Sequence, residues 1–348
     1  MEKIRISVIG ANGYTGMELL RLLAGHPAAE VRHVVSRSLS GQPVAEYFPS
    51  LHAYDGKVFE GPDDLQALAE DSDAAFLCLP HAASAEMAGR LFRLGVKVID
   101  LSADFRYENV ETYERTYGVT HPEKELLRAA VYGLPEINRE QIKTAGIVGN
   151  PGCYTTCSIL TLYPLVREGL VDPDTLIIDA KSGVSGAGKK ADLPNLFAEV
   201  NENFKAYGVT THRHTSEIEE KLSLALGRPL QLSFTPHLLP LQRGILATIY
   251  ADLRPGAGER IAAVYRTCYE KEPFVRVFEE GRLPELKHVR HSNYLHIGYK
   301  VDERLNKVIL IGCLDNLVKG ASGQAVQNLN LMFGLDERTG LMAEGDYL

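Results

Sequence analysis

The chain opens on a strand that runs straight into a glycine turn. Ile4, Ile6 and Val8 alternate up to 10-GANGYTG-16, and the apolar spacing of 17-MELLRLLAG-25 then reads as a helix. Strand, glycine turn and helix in that order commit the region to a βαβ unit, because parallel strands need a crossover that carries the chain back along the sheet. The pattern recurs in 31-VRHVV-35, 73-DAAFLCLP-80, a helix near 82–94, 96-VKVIDLS-102 and 146-GIVG-149. Short apolar strands separated by amphipathic helices predict an α/β Rossmann-type domain over residues 1–150.

Beyond residue 150 the pattern changes. A helix from about 155 to 168 precedes 176-LIIDAKS-182, the glycine loop 183-GVSGAGK-189 and a helix from about 215 to 226. Longer strands follow at 230–238, 244–253, 294–302 and 307–315. Long strands with few helices between them predict a second, α+β domain over 151–315, with a mixed or antiparallel sheet. A final helix, about 317–333 within the segment 316–348, is expected to pack back on the first domain.

Composition narrows the function. At 348 residues the chain can bury two sizeable cores. A net charge of −8 argues against nucleic acid, whose phosphates need a basic face. No apolar run approaches the ~18 residues that span a bilayer, and MEKIRISVIGANG lacks a signal-peptide core. Five scattered cysteines do not make a disulfide framework and suit a reducing cytoplasm. The run 217-EIEE-220 reads as a solvated helix face.

Glycines at 10, 13 and 16 suit a dinucleotide: they permit a tight turn, and a helix N-terminus can meet a pyrophosphate. The spacing G-x-x-G-x-x-G departs from the usual G-x-G-x-x-G. The second strand ends in 36-SRS-38, where an NAD site usually has a carboxylate for the ribose 2′-hydroxyl. Arg37 between two serines fits a 2′-phosphate instead, through charge-assisted hydrogen bonds, so NADP(H) is the expected cofactor.

The stretch 149-GNPGCYTTCSIL-160 sets Cys153 and Cys157 one helical turn apart. Structural zinc sites usually draw on two cysteine pairs, and a redox pair needs Cys-x-x-Cys, so neither a metal nor a redox role is expected. Cys153 stands where a strand ends, a glycine turn follows and a helix begins. There the helix dipole favours a thiolate and backbone N–H groups can hold an oxyanion, which fits a nucleophile. Cys157 reads as packing. An acid/base partner is sought in 211-THRHTSEIEE-220, where His212 and His214 precede a helix capped by Thr215 or Ser216.

Together these residues resemble the N-acetyl-γ-glutamyl-phosphate reductase family of arginine biosynthesis, relatives of the aspartate-semialdehyde dehydrogenases. The resemblance covers essentially the whole chain. It runs, in the family's order, through 10-GANGYTG-16, 36-SRS-38, 79-LPH-81, 100-DLSADFR-106, 132-YGLPE-136, 149-GNPGCYTT-156, 182-SGVSGAGK-189, 212-HRHTSEI-218, 236-PHLLPLQRGI-245 and 315-DNLVKGASGQAVQNLN-330.

What the resemblance implies is NADPH-dependent reduction of an acyl phosphate to an aldehyde through a Cys153 thioester. His212 is then the acid/base, with His214 as the alternative. Cofactor contacts are implied for Gly10, Asn12, Gly13, Tyr14, Thr15, Gly16, Ser36, Arg37, Ser38 and Pro80. Ser182, Gly183, Gly186, Ala187 and Gly188 join them, with Asn316 close to the nicotinamide. Arg106, Asn150, Tyr207, His214, Glu217 and Arg243 are implied for substrate or supporting roles. A small acyl phosphate is the implied substrate, and the chain is expected to form a homo-oligomer, dimer or tetramer.

A sister group acts on a carrier-protein-bound aminoadipyl phosphate in lysine synthesis. The Asn-Pro-Gly-Cys-Tyr-Thr run resembles the arginine branch. Ser216 departs from the proline common there, a small change in the first turn of a helix. One expectation is directly measurable: Arg37→Ala should raise KM for NADPH at least tenfold and leave NADH use nearly unchanged. Equal losses with both cofactors would refute the 2′-phosphate assignment.

Overall fold

The computed structural model describes residues 2–346. The chain divides into two compact units, Met1–Pro151 with Ala321–Met342, and Gly152–Gly320 with Ala343–Leu348.

The first unit is built on β1 (Ile4–Ile9), β2 (Ala29–Val35), β3 (Ala74–Leu77), β4 (Lys97–Asp100), β5 (Val131–Tyr132) and β6 (Ile147–Gly149). Their spatial order is β2-β1-β3-β4-β6-β5, and every pair is parallel. Parallel sheets are covered on both faces, which is why their strands are apolar throughout rather than alternating. Ile6, Val8, Phe76, Leu77, Val98 and Ile99 are accordingly all fully buried. Helices α1 (Tyr14–Ala24) and α2 (Ala85–Arg93) follow β1 and β3.

The second unit starts with helix α3 (Cys153–Arg167) and includes α4 (His214–Leu226). Its strands are β7 (Ile177–Gly183), β8 (Lys205–Ala206), β9 (Ser233–Leu239), β10 (Ile245–Asp252), β11 (Val275–Val277), β12 (Leu295–Asp302) and β13 (Lys307–Leu314). The order is β11-β12-β13-β10-β7-β9-β8, a mixed sheet in which β11–β12 and β7–β9 are the parallel pairs. Along β10, Ile245, Ala247, Ile249 and Ala251 are fully buried while the residues between them are half-exposed. That alternation marks a sheet with one face in the core, and α3 packs against β10 and β13. Among the described residues no helix is long and apolar enough to cross a membrane.

Several element boundaries differ from the expectations, among them α3, which begins at Cys153 rather than about 155, and β9, which begins at Ser233 rather than 230. Helix α1 begins at Tyr14, because the Gly13 carbonyl already accepts the Met17 N–H at 2.9 Å. Helix α4 begins at His214, ahead of the expected caps Thr215 and Ser216; the Ser216 hydroxyl bonds back to the Arg213 carbonyl instead. The C-terminal helix, expected about 317–333 within the segment 316–348, is helical from Val318 to Met332, opening as a π-helical turn at Val318–Ser322 and continuing as α5 (Gly323–Met332). Asp315 causes that turn: its carboxylate accepts from Leu317 N and Val318 N and its carbonyl from Gly320 N, drawing those N–H groups out of the α pattern. All ten residues of α5 are buried, and Gln324 and Asn328 tie it to the Gly133 carbonyl at 3.0 Å each. Gly334 and Gly340 then turn the chain at positive φ.

Candidate active site

In the first unit the end of β1 and the end of β2 open on one cleft of about 640 Å³. Gly10, Asn12, Ser36, Arg37, Ser38 and Pro80 line it, with Leu79 and Met87 as apolar walls. Gly10 has φ +80°, and a Cβ there would lie 2.5 Å from the Cys78 carbonyl oxygen, so only glycine allows the turn. Asn12 Nδ2 donates to Ser38 Oγ at 3.3 Å, joining the two edges of the cleft. No carboxylate is among the lining residues, while a guanidinium, two hydroxyls and an amide are. That donor set suits a phosphorylated ribose.

Gly13, Tyr14, Thr15 and Gly16 do not line the cleft but make the helix start: Gly13 caps α1, and Tyr14, Thr15 and Gly16 form its first turn. Gly16 is there for packing, since a Cβ would come within 2.6 Å of Ala11 Cα.

Also in this unit, Arg106 is buried and donates through Nε to the Asn150 carbonyl (2.7 Å) and through Nη2 to the Leu101 carbonyl (2.9 Å). The Asn150 amide bonds at both ends, Nδ2 to Ala321 O (3.0 Å) and Oδ1 from Asn328 Nδ2 (3.1 Å). Asn150 therefore helps to hold the Arg106 guanidinium in place. Beside it, burial and the Asp104 charge push the Asp100 carboxyl up to about 6.

In the second unit Cys153 is the first residue of α3, with Gly152 as cap. The first-turn N–H groups have no carbonyl of their own helix to bond, and they carry the positive end of the dipole. Glu217, fully buried, accepts the Gly152 N–H at 3.2 Å and lies 2.8 Å from Thr155 Oγ1. This corrects the reading of 217-EIEE-220 as a solvated face. A buried carboxylate is costly unless it is hydrogen-bonded, and the helix start supplies the donors. Behind Cys153 stands Gly320, where a Cβ would be 2.8 Å from Cys153 Cβ. Cys157 is packed below, so close to β13 that a Cβ at Gly312 would fall 2.9 Å from its sulfur. Burial pushes its thiol well above the ordinary range.

His212 sits among aromatic rings: Tyr154 at 5.8 Å, Tyr207 at 5.6 Å, Phe234 at 5.4 Å and His214 at 4.8 Å between centroids. Tyr207 donates to the Tyr154 hydroxyl (3.2 Å), which donates to the His237 carbonyl (3.1 Å). Both phenols lie within electrostatic reach of the Cys153 thiol. Burial pushes Tyr207 up to about 12. Burial first, and then the Arg213 charge, push His212 down to about 4. Its Nδ1 accepts the backbone N–H of His214 at 3.2 Å.

Arg243 pairs with Asp315 across Nε–Oδ2 (3.0 Å) and Nη2–Oδ1 (3.1 Å). Next to it, Asn316 Oδ1 accepts from Gly244 N at 2.7 Å, and its Nδ2 donates to Ser185 Oγ at 2.9 Å. The 182–188 loop closes on the same spot. A Cβ at Gly183 would meet Arg243 N at 2.7 Å, and one at Gly186 would meet Ser182 Oγ at 2.8 Å. Ala187 ends the 3₁₀ turn, and Gly188 leaves it at φ +82°.

Cys153, Tyr207, His212, His214, Glu217, Arg243, Asn316 and the 182–188 loop thus share one unit, whereas Gly10 to Gly16, Ser36 to Ser38, Pro80, Arg106 and Asn150 share the other. Sequence reasoning missed Asp315 and Tyr154. The signal for Asp315 was a carboxylate closing an apolar strand, a position that demands a buried partner; Tyr154, next to Cys153, carried none.

Comparison with known proteins places both units. Residues 5–145 match a family model described as the semialdehyde dehydrogenase NAD binding domain, and residues 153–316 match the semialdehyde dehydrogenase dimerisation domain. The chain is 49% identical over 347 residues to an N-acetyl-γ-glutamyl-phosphate reductase of Acetivibrio thermocellus, covering 99% of each. It is 50% identical over 345 residues to the protein of that name from Caldicellulosiruptor bescii, again covering 99% of each. Among solved structures, aspartate semialdehyde dehydrogenase II of Vibrio cholerae, complexed with ASA, superposes with a TM-score of 0.72 at 18% identity, over 96% of this chain and 99% of that one. The Candida albicans aspartate semialdehyde dehydrogenase with NADP gives 0.69 at 16%, over 95% of this chain and 99% of that one. At such identities these two share the fold.

The depressed histidines make stability pH-dependent. His212 and His296 both stay neutral in the native protein down to about pH 4, whereas the unfolded chain protonates them near 6.5. The unfolded state therefore binds more protons between those values, and their contribution to stability is lost as pH falls from 6.5 toward 4. Asp100 works oppositely, favouring the native state below about 6. Comparison of variants isolates each group: between pH 7.5 and 5, wild type should lose about 2 kcal/mol more than His296→Gln in urea denaturation. Equal losses would show that His296 is not held neutral.

Proposed function

We propose that this chain, which belongs to the N-acetyl-γ-glutamyl-phosphate reductase family of semialdehyde dehydrogenase-type proteins, reduces N-acetyl-γ-glutamyl phosphate to N-acetylglutamate 5-semialdehyde with NADPH, through a thioester on Cys153. The observation that carries the reading is the placement of Cys153 at the start of α3, with Gly320 behind it and His212 in the ring cluster that flanks it.

The residue types dictate the steps. The Cys153 sulfur, at the positive end of a helix, attacks the acyl carbon, and N–H groups of the same turn hold the oxyanion. The phosphate leaves with the electron pair of the C–O bond. Arg106 is assigned to it, because a planar guanidinium is the side chain suited to phosphate oxygens. A thioester remains on Cys153, a better acceptor than a carboxylate. Gly10, Asn12, Ser36, Arg37, Ser38 and Pro80 would hold NADPH, the absence of a lining carboxylate favouring the 2′-phosphorylated form. Bound NADPH supplies the hydride that brings the acyl carbon to the aldehyde level. Arg243, oriented by Asp315, is assigned to the substrate carboxylate.

The dimerisation-domain match and a group of exposed apolar side chains support a homo-oligomer. Phe197 is 82% exposed, Leu193 69% and Phe204 57%, all between β7 and β9. We assign this surface to a second copy of the chain. The Cys153 thiol, which is not in a disulfide, needs a reducing compartment, so the cytoplasm is the proposed setting, and recovery of the protein from a culture supernatant would contradict it.

Two experiments test these assignments. Cys153→Ser, purified and folded, should lose at least 10³-fold in phosphate-dependent NADP reduction with N-acetylglutamate semialdehyde. Turnover near wild type would remove the covalent route. Phe197→Asp should lower the mass measured by sedimentation equilibrium to that of a smaller assembly, and an unchanged mass would move the interface elsewhere.

A further inference from the structure

Strands β3 and β4 lie side by side and parallel, with Leu77 opposite Asp100, so the segments that leave them start out together. One is 78–84, which leads into α2, and the other is 101–106. Leu101 N donates to the Leu77 carbonyl at 2.9 Å where they part. Ala83 and Met87, at the head of α2, join Leu79 and Pro80 in walling the cofactor cleft. The shape of that wall therefore depends on what fixes the start of one helix.

Two features of this start need an outside partner. Ala82 has φ +62°, a left-handed backbone that a residue with a Cβ keeps only where its surroundings impose it. The first N–H groups of α2 have no carbonyl of their own helix to bond. Ser84 stands at the cap position, but its hydroxyl lies closest to Ser102 Oγ (2.6 Å) and Asp100 Oδ1 (2.8 Å).

The partner is Asp104, fully buried in the neighbouring segment. Its Oδ1 accepts Ala82 N at 2.7 Å, and its Oδ2 accepts Ser84 N at 3.0 Å and Ala85 N at 3.1 Å. One carboxylate thus holds both the left-handed residue and the helix start, where the positive end of the dipole favours an anion. Asp104 is itself fixed by its surroundings. The Tyr113 hydroxyl donates to Oδ1 (2.8 Å), the Asp104 N–H donates to Ser102 Oγ (3.1 Å), and the Asp104 carbonyl accepts from His121 Nε2 (2.8 Å). His121 Nδ1 accepts the Glu123 N–H at 3.0 Å, which leaves the ring proton on Nε2 to make that bond.

We propose that Asp104 is a positioning residue for NADPH: by capping α2 from the adjacent segment, it sets the wall that Ala83 and Met87 present to the cofactor. The assignment rests on the reading of this cleft as the NADPH site. Asp104 stands outside the lining of the cleft and acts through the backbone of 82–85. An amide in its place turns an NH2 donor toward one of those N–H groups and frees the turn. Arg106, two residues on, is held separately by the Asn150 and Leu101 carbonyls, so the loss falls on the cofactor.

The test separates cofactor affinity from the rest of the reaction. In the full-length protein, Asp104→Asn should raise the Kd for NADPH, read by fluorescence titration, about tenfold. Its kcat at saturating NADPH and its KM for the acyl phosphate should stay within about twofold of wild type. Adding Ala82→Gly to Asp104→Asn should recover part of the lost affinity, since glycine takes a positive φ without an outside hold. A protein that is merely destabilised would show no such recovery, and its absence would count against the proposal. If the asparagine variant does not fold, Tyr113→Phe carries the test. It keeps the carboxylate, removes one donor, and should raise the Kd about threefold. Wild-type affinity in the variant tested, or equal rises in the NADPH Kd and the acyl phosphate KM, would overturn the assignment. A wild-type protein that does not bind NADPH would sink the reading of the cleft instead.

Discussion

The second unit turns on the buried pair of Arg243 and Asp315. Asp315 is fully buried, and an ionised carboxylate in that position persists only because it is saturated with donors. The guanidinium supplies two, and the N–H groups of His291, Leu317 and Val318 supply the rest. Removing one partner of such a pair typically costs about 3–5 kcal/mol, because the other charge is left buried alone. The consequence is local shape. Asp315 bends the chain into the π-turn, the turn brings Gly320 against Cys153, and Asn316 beside it fastens the 182–188 loop and Gly244. One ion pair thereby orders the turn that carries Gly320, the 182–188 loop and Arg243.

A second buried carboxylate, Glu217, sits at the start of α3. Glu217 brings negative charge to the end of α3 that favours an anion, and it occupies the Gly152 N–H. What it provides is position: α4 packs on α3, and Glu217 joins the start of one helix to the interior of the other. His212 lies five residues before Glu217, so the same contact that anchors the cysteine turn also anchors the helix that follows the histidine loop. Geometry has been favoured here over the strongest stabilisation of the sulfur.

How much of this could be read in the chain follows from how local each signal is. The βαβ pattern, the Gly10 turn and the serine–arginine end of β2 are adjacent-residue features, and all appear where their spacing placed them. Cys153 at a helix start follows equally from the strand, turn and helix around it. Errors arose where a distant group competes with local preference. The charge run at 217–220 looked solvated because its partner, the start of α3, lies more than sixty residues earlier.

The sequence by itself determined the fold class, the glycine turn and serine–arginine cluster at one end of the first sheet, and the place of Cys153 at a helix start, because periodicity, glycine spacing and side-chain chemistry act over a few residues. The tertiary structure alone decided which polar groups are buried and with whom they pair. That choice made Asp315 and Glu217 organisers of the site and set the ring of His212 facing a donor. Hydrogen bonds and desolvation depend on distances between segments far apart in the chain, and those distances exist only once the sheet and its helices have closed.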